Sequence, residues 1–255
     1  MKPRICDFLP IPNLLKAKNI LCVQPHPDDM EIGAGATIAL LSRSGATITC
    51  LTVTDGSAGT YDPAVEQEDL IITRRQEAEK TAAMLGVKTL LWLDFADGGF
   101  LPYEEIRSEI TSVIRRQKPE AVLVCDPWLP YEAHSDHTRT GLATAEACFL
   151  SNMPNFCPAD LQEGLQPHAV EMIAFYYTAY PNTFVDVSAT WDLKMEAIDC
   201  HASQFPPSIA EKLKSYLTAR AGEHAETRGN GSGLVESLKV LSIDHLHIFE
   251  DAWQC

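Results

Sequence analysis

Histidine and carboxylate side chains cluster in two short segments of this 255-residue chain, at residues 25–29 (PHPDD) and 134–137 (HSDH). Imidazole and carboxylate groups are the ligands of catalytic zinc sites, which keep one coordination position open for water. A hydrolytic site also needs further side chains that move protons. The two clusters together supply both sets, so they predict a metal-dependent hydrolase.

The first cluster divides naturally into ligands and a base. Pro27 has a fixed φ that holds the turn, so that His26 and Asp29 can converge on one ion. His137 would arrive from the second cluster as the third ligand and leave a position for water. Asp28 would then face that water as the general base and later protonate the leaving group.

The second cluster opens a predicted helix, and His134 lies one turn before His137. Both rings can therefore face the site. As an imidazolium, His134 would stabilise an oxyanion beside the metal. Asp136 is the expected hydrogen-bond acceptor that fixes the orientation of a histidine ring and holds its proton.

Less specific explanations exist for several of these patterns. The HPDD turn alone could be a helix entrance in which Asp28 or Asp29 is the N-cap. The small residues at 33–35 (GAG) resemble the start of a dinucleotide fingerprint, but no third glycine follows in register, so close helix packing is favoured. Arg74 and Arg75 fit a solvated helix face. Three further histidines lack any partner pattern and are expected on the surface or in the core: His168, His201 and His224.

Apolar runs alternate with segments of helical periodicity, which predicts an α/β fold: a Rossmann-like, mostly parallel sheet flanked by helices, with a C-terminal elaboration. The predicted strands are 20–24, 47–54, 89–93, 121–125, 170–177, 183–187 and 239–248. The predicted helices are 32–44, 66–85, 103–117, 135–150, 191–203 and 209–225. Residues 152–167 are predicted to be an irregular insertion, and residues 229–233 a glycine-rich bend.

Several histidine and aspartate residues come after predicted strands. His26, Asp55, Asp97, Asp126 and His134 all lie in loops at the carboxyl ends of strands. In open parallel sheets, ligands bind at this edge. The sequence therefore predicts that the active site lies there.

Composition narrows the class of partner. The formal net charge of −15 is spread along the chain and opposes binding to nucleic acids or anionic membrane surfaces. The eight cysteines form no CxxC pair and several lie in apolar runs, which favours free thiols in a reducing, cytoplasmic compartment. No stretch has the features of a signal peptide or a transmembrane helix.

Beyond the two clusters, four segments carry a resemblance to a known family: 54–62 (TDGSAGTYD), 126–141 (DPWLPYEAHSDHTRTG), 166–186 and 201–205 (HASQF). On these segments and the two motifs, the chain resembles the PIG-L/LmbE-like zinc-dependent N-deacetylases, and within them the diacetylchitobiose deacetylase branch. The similarity covers about residues 18–205. The resemblance implies one domain over residues 1–255, with the elaboration at about 206–255.

The resemblance also implies a role for individual residues. It makes His26, Asp29 and His137 the ligands of one Zn²⁺ per subunit, with another divalent metal as the alternative. It makes Asp28 the general base, and His134 the oxyanion-side acid oriented by Asp136. It places Arg74 and Asp97 against the sugar, with Glu77 as the glutamate that accompanies Arg74 in the family motif. It also implies a homo-oligomer, expected to be a hexamer. His245 or His247 would reach the site of a neighbouring subunit in this assembly.

The implied activity is removal of the N-acetyl group from a GlcNAc-type amino sugar or a short chitooligosaccharide such as N,N'-diacetylchitobiose. Two alternatives stay open: deacetylation of another amino-sugar conjugate, such as a thiol-cofactor precursor or an antibiotic intermediate, and a non-catalytic sugar- or nucleotide-binding module. Glu132 stands where thiol-cofactor deacetylases of the superfamily often place a tyrosine, which argues against a mycothiol-type substrate. The exact sugar, the metal in the cell and the assembly are left open.

Overall fold

A computed structural model describes residues 5–228 and 231–255, and in this part of the chain seven strands form one sheet in the order β3-β2-β1-β4-β5-β7-β6. The strands are β1 (Asn19–Gln24), β2 (Thr47–Thr54), β3 (Thr89–Phe95), β4 (Ala121–Cys125), β5 (Met172–Tyr176), β6 (Thr183–Asp186) and β7 (Val235–Ser242). The helices are α1 (Ile5–Phe8), α2 (Asp29–Arg43), α3 (Gln67–Leu85), α4 (Tyr103–Gln117), α5 (Ser135–Leu150), α6 (Pro158–Gln162), α7 (Trp191–Cys200) and α8 (Pro207–Arg228).

Five neighbouring strands, β3, β2, β1, β4 and β5, run parallel, and β7 pairs antiparallel with both β5 and β6. The predicted Rossmann-like, mostly parallel sheet is therefore confirmed. The strand order reverses between β1 and β4, which is the place where open α/β sheets bind their ligands.

Burial explains why these segments are strands. All five residues of β4 and β5 are buried, as are most residues of β1 and β2. Parallel strands covered by helices on both faces read as continuous apolar runs, and the sequence has this pattern. On α4, Ile106, Ile110 and Ile114 face the core at helical spacing.

Helix α2 approaches the sheet very closely at Gly33. A Cβ atom at this position would lie 2.2 Å from the Tyr176 ring of β5, so only glycine fits. Close packing, not a dinucleotide loop, explains the small residues of this segment.

Several predicted boundaries are wrong by a few residues. Helix α2 begins at Asp29 and not at residue 32, so the HPDD turn itself enters the helix. Helix α7 ends at Cys200 instead of continuing to residue 203, and α8 extends beyond the predicted 209–225 at both ends. The insertion at 152–167 contains the short helix α6.

The largest boundary error concerns the last strand, which was predicted at 239–248. It pairs with β6 from Val235 and ends at Ser242, and Ile243–Leu246 form a 3-10 turn. Ser242 pairs with Met172, where β5 begins, so a longer β7 would have no partner there. Residues 229 and 230 of the predicted bend lie outside the described residues.

None of the helices in the described part of the chain has both the length and the hydropathy needed to cross a bilayer. Seven cysteines among the described side chains are free, and four of these are buried: Cys22, Cys50, Cys125 and Cys148.

Candidate active site

The two predicted clusters meet at the reversal point of the sheet. His26 follows β1, and His134 follows β4 at the start of α5. The centroids of these two rings are 4.6 Å apart, and those of His134 and His137 are 4.9 Å apart. The early and late motifs therefore form one site.

Asp29 lies between two imidazoles. Its Oδ2 is 3.2 Å from Nδ1 of His26, and its Oδ1 is 3.3 Å from Nε2 of His137. Potential ligand atoms of the three residues all lie within 4.8 Å of one another. Two imidazole nitrogens and a carboxylate form a donor set that suits zinc and related divalent ions.

The other nitrogen of the His26 ring faces a second pair of carboxylates. Nε2 lies 3.1 Å from Oδ1 of Asp97 and 3.4 Å from Oδ2 of Asp136. Ligating histidines commonly place their second nitrogen against a carboxylate, which fixes the ring orientation. His26 can therefore offer Nδ1 to an ion while Asp97 and Asp136 hold the ring.

The electrostatics of this cluster favour positive charge. Burial lowers the pKa of His26, but the surrounding Asp136, Asp29 and Asp97 outweigh burial and raise it to about 12. Burial would raise the pKa of Asp29, yet the His137 and His26 rings hold it well below its usual range. A bound cation would meet the same electrostatic demand that a protonated imidazole meets.

Asp28 occupies the N-cap position of α2 but makes no capping hydrogen bond. Instead, Oδ2 accepts a hydrogen bond from Nη2 of Arg74 at 3.2 Å. The backbone at Asp28 has φ 151°, a strained value for a residue other than glycine. The interpretation of Asp28 as an ordinary N-cap is therefore wrong.

The environment of Asp28 suits proton transfer. Burial raises the pKa of this carboxyl to about 7; the charge of Asp29 adds to the shift and that of Arg74 opposes it. A general base works best when its pKa lies near the operating pH.

Arg74 is buried on α3, with 2% of its surface exposed, so the solvated-face interpretation is wrong for this residue. Nη1 donates to the Gly56 carbonyl at 2.9 Å and Nη2 to the Pro27 carbonyl at 3.3 Å. Nη1 also lies 3.7 Å from Oδ2 of Asp97. Arg75, in contrast, is partly exposed and pairs with Asp94 near the surface.

The Asp136 carboxylate accepts a hydrogen bond from the Gly98 N–H at 3.2 Å and faces the His26 ring. His134 is the N-cap of α5, and its Nδ1 accepts from the Asp136 backbone N–H at 3.3 Å. The role of Asp136 in orienting His134 stays a prediction.

Nδ1 of His134 accepts this hydrogen bond from the Asp136 N–H, which leaves Nε2 as the ring nitrogen that carries a proton. The role of His134 as an imidazolium beside the metal stays a prediction. Burial lowers the pKa of His134, and the charges of His26 and His137 lower it further. The ring can still donate a hydrogen bond from Nε2.

Comparison with known proteins places this geometry in a family. The family profile described as PIG-L: GlcNAc-PI de-N-acetylase matches residues 21–148. The chain belongs to the PIG-L family. The matched residues include both histidine clusters.

Individual relatives agree with this assignment. The chain is 44% identical over 232 residues to diacetylchitobiose deacetylase of Thermococcus kodakarensis, covering 91% of this chain and 86% of the relative. It is 29% identical to a probable N-acetyl-alpha-D-glucosaminyl L-malate deacetylase 2 of Bacillus anthracis, covering 78% and 87%. A solved structure of N,N'-diacetylchitobiose deacetylase from Pyrococcus horikoshii superposes with a TM-score of 0.87 and 41% identity, covering 92% and 89%.

Two residues that contact this PIG-L site, Glu132 and Tyr177, were missed from the sequence. Oε2 of Glu132 lies 3.2 Å from Nδ1 of His137, and Oε1 accepts from the His134 N–H at 2.7 Å. Tyr177 donates its hydroxyl to the Asp29 carbonyl at 3.1 Å, and its ring stacks on His137. The only available signal was the position of Glu132 two residues before the second motif.

His245 does not join the described contacts of the cluster within this chain. It is buried, and its Nδ1 lies 2.6 Å from the Ser242 hydroxyl. His247 is exposed and stacks on Phe149. A contribution of His245 or His247 to the site of a neighbouring subunit stays a prediction.

Proposed function

We propose that this chain is a zinc-dependent N-deacetylase that releases acetate from N,N'-diacetylchitobiose, GlcNAc or a related short chitooligosaccharide. The observation that carries the proposal is the convergence of His26, Asp29 and His137 beside the buried carboxyl of Asp28. The 44% identity to a diacetylchitobiose deacetylase supports this choice of substrate.

The residues present fit a divalent ion. Nδ1 of His26, the Asp29 carboxylate and Nε2 of His137 would hold it, because these groups already face one another in a buried setting. When bound, the ion would supply Lewis-acid activation of water and of the amide carbonyl.

Asp28 would move the protons. Its carboxylate takes a proton from the attacking water and passes it to the departing amine, which leaves as the free amino sugar. The hydrogen bond from Arg74 holds the carboxylate in place, and a pKa of about 7 lets it both accept and donate.

The remaining residues would bind substrate and stabilise charge. His134 donates from Nε2 to the oxyanion that forms on the amide carbonyl oxygen. Asp97 and Arg74 lie on the His26 side of the cluster, where they would contact sugar hydroxyls. Both groups also hold one another in place before substrate arrives.

A substrate panel tests the proposal. Acetate release is measured with diacetylchitobiose, GlcNAc and N-acetylglucosaminyl-malate, before and after chelation and with zinc restored. We expect turnover of the chitobiose or GlcNAc substrate, loss on chelation and recovery with zinc. Turnover of the malate conjugate alone would favour the thiol-precursor alternative, and a protein that binds no divalent ion and stays inactive would favour a binding module.

Assembly and location belong to the same proposal. We infer a homo-oligomer, with a hexamer as the expected state, and a reducing cytoplasmic location that suits the free cysteines. Light scattering of the purified protein measures the assembly directly, and a monomeric mass would contradict it.

A further inference from the structure

The loop at residues 201–204 (HASQ), which follows α7, contacts α2 and α3, which carry proposed site residues, and the loop after β2, which contacts Arg74 and Asp97. We propose that this loop is a positioning element, which sets where Asp28, Arg74 and Asp97 stand relative to one another. None of its side chains belongs to the proposed catalytic or ligand set. The inference rests on the proposed deacetylase function and adds residues to it.

Gln204 holds the loop that follows β2. Its Nε2 donates to the Gly59 carbonyl at 2.9 Å. Gly59 is tightly enclosed: a Cβ there would lie 2.5 Å from Nη1 of Arg74 and 2.7 Å from Oε1 of Gln204. The preceding residue, Ala58, donates its N–H to the Asp97 carboxylate at 3.2 Å. Gln204 thus fixes residues 58 and 59, which lie between Gln204 and the two proposed sugar-binding residues, Arg74 and Asp97.

Ser203 holds helix α3 close to Arg74. Its backbone N–H and its hydroxyl both donate to the Glu77 carboxylate, at 2.9 Å and 2.6 Å. Glu77 is buried and lies three residues after Arg74, so the two side chains share one helical turn. A shift of Ser203 would therefore move the turn from which the guanidinium reaches Asp28.

His201 holds helix α2 behind the proposed base. The ring is fully buried, and its Nε2 lies 3.3 Å from Oε1 of Glu31. Glu31 follows Asp28 by three residues, and the same oxygen accepts from the Thr81 hydroxyl of α3 at 2.5 Å. The Thr81–Glu31 hydrogen bond joins α2 to α3, and His201 contacts this link from the loop.

The three contacts start from one short segment, residues 201–204, and each is made with a different element: the loop after β2, α3 or α2. Asp28 lies in the turn after β1, Asp97 lies in the loop after β3 and Arg74 lies on α3, and the loop after β2 contacts both Arg74 and Asp97. Small displacements of positioning groups are costly, with about 100-fold in rate attributed to shifts of about 1 Å. A loop that ties these elements together sets the geometry of the site without touching substrate.

The experiment compares Gln204→Ala and Ser203→Ala with the matched control Ser42→Ala. Ser42 is also partly buried and donates a side-chain hydrogen bond to a backbone carbonyl, that of Gly86, at 3.0 Å, but it lies at the far end of α2. For each variant, kcat and KM with diacetylchitobiose, bound metal and Tm are measured. Ser203→Thr, which keeps a hydroxyl, is the conservative variant.

We expect Gln204→Ala to raise KM about 10-fold or more, since Arg74 and Asp97 lose their fixed spacing. The amount of bound metal should match that of the wild type, because Gln204 is not one of the proposed metal ligands. Ser203→Ala should act in the same direction, and Ser203→Thr should restore most of the loss. Ser42→Ala should leave kcat and KM within about twofold of the wild type.

Two results would overturn the inference. The first is that kcat and KM of Gln204→Ala and Ser203→Ala do not differ from those of Ser42→Ala. The second is that both loop variants have a lower Tm but an unchanged KM, which would show that the loop only stabilises the fold. A wild-type enzyme inactive on every N-acetyl sugar would overturn the proposed function and this inference together. An active wild type with silent loop variants overturns the inference alone.

Discussion

Two buried clusters of charged residues differ in how their groups are matched. Around Arg115, the guanidinium donates to Asp160 at 2.8 Å and to three backbone carbonyls, and Ser112 donates to Asp160 at 2.6 Å. At the candidate active site, five carboxylates face one guanidinium and three imidazoles: Asp28, Asp29, Asp97, Glu132 and Asp136 face Arg74, His26, His134 and His137.

The difference separates a structural network from a reactive one. At Arg115 the donors and acceptors balance, so the cluster needs no further partner. At the active site the acidic groups exceed the permanent positive charge, and neutrality requires protons or a cation. A buried site with unmatched carboxylates, shifted pKa values and a strained backbone residue is the kind that does chemistry.

The largest expected effect is on the chemistry. Asp28→Asn should reduce kcat by about 10³-fold or more, because the amide cannot accept the proton of the attacking water. The three proposed ligands are untouched, so bound zinc should stay near one equivalent. Acetate release and metal analysis on the same sample check both points, and substantial activity in this variant would contradict the role of Asp28.

A substitution in the Arg115 cluster should have the opposite effect, lowering stability while leaving kcat nearly unchanged. Asp160→Ala leaves the buried guanidinium of Arg115 without its carboxylate and should lower the free energy of unfolding by about 3 kcal/mol. The kcat of the folded variant should stay within about twofold of the wild type. Denaturant unfolding and steady-state kinetics measure the two quantities, and a large loss of kcat would show that the clusters are not independent.

A smaller effect is expected at Glu132, which faces the second nitrogen of His137. Glu132→Gln weakens the charge that orients this ligand, so zinc affinity should fall about 10-fold. Competition with a chelator measures the affinity. If zinc binds as tightly as before, Glu132 contributes only to the backbone geometry of the second motif.

The smallest effect concerns the pH dependence of stability in the chelated protein. The pKa of Asp28 is raised from 3.8 to about 7 by burial first, so between these values the folded state binds more protons than the unfolded state. Stability from this group therefore falls as pH rises through that window. Asp28→Asn removes the titration, so its Tm should fall less than that of the wild type between pH 5 and pH 8. Equal declines would contradict the raised pKa.

The sequence was sufficient to predict the sheet and the meeting of the two motifs. Both motifs follow buried parallel strands, and the topology brings the ends of such strands to one edge. Helix α5 was predicted with its observed bounds because His134 and Leu150 enclose an uninterrupted helical segment. These are properties of local pattern and chain connectivity.

The orientation and burial of individual side chains could not be predicted from the sequence pattern. Arg74 looks like a surface arginine in sequence and is buried only because the 55–60 loop folds over it. The Asp136 carboxylate faces His26 and the His134 ring caps α5, and the order of residues in the motif does not specify either contact. The end of β7 depends on where β5 begins, about 70 residues earlier in the chain.

The contact between Asp29 and His137 joins residues 108 positions apart (137 − 29), on either side of the strand-order reversal. Such a pairing forms only after β4 has docked beside β1, because closing a long stretch of chain comes after local structure. With the proposed ligands, a nascent chain would offer at most two of the three until that docking is complete. Tight metal binding would then be a late event in folding, and it would mark the molecules whose sheet has assembled correctly.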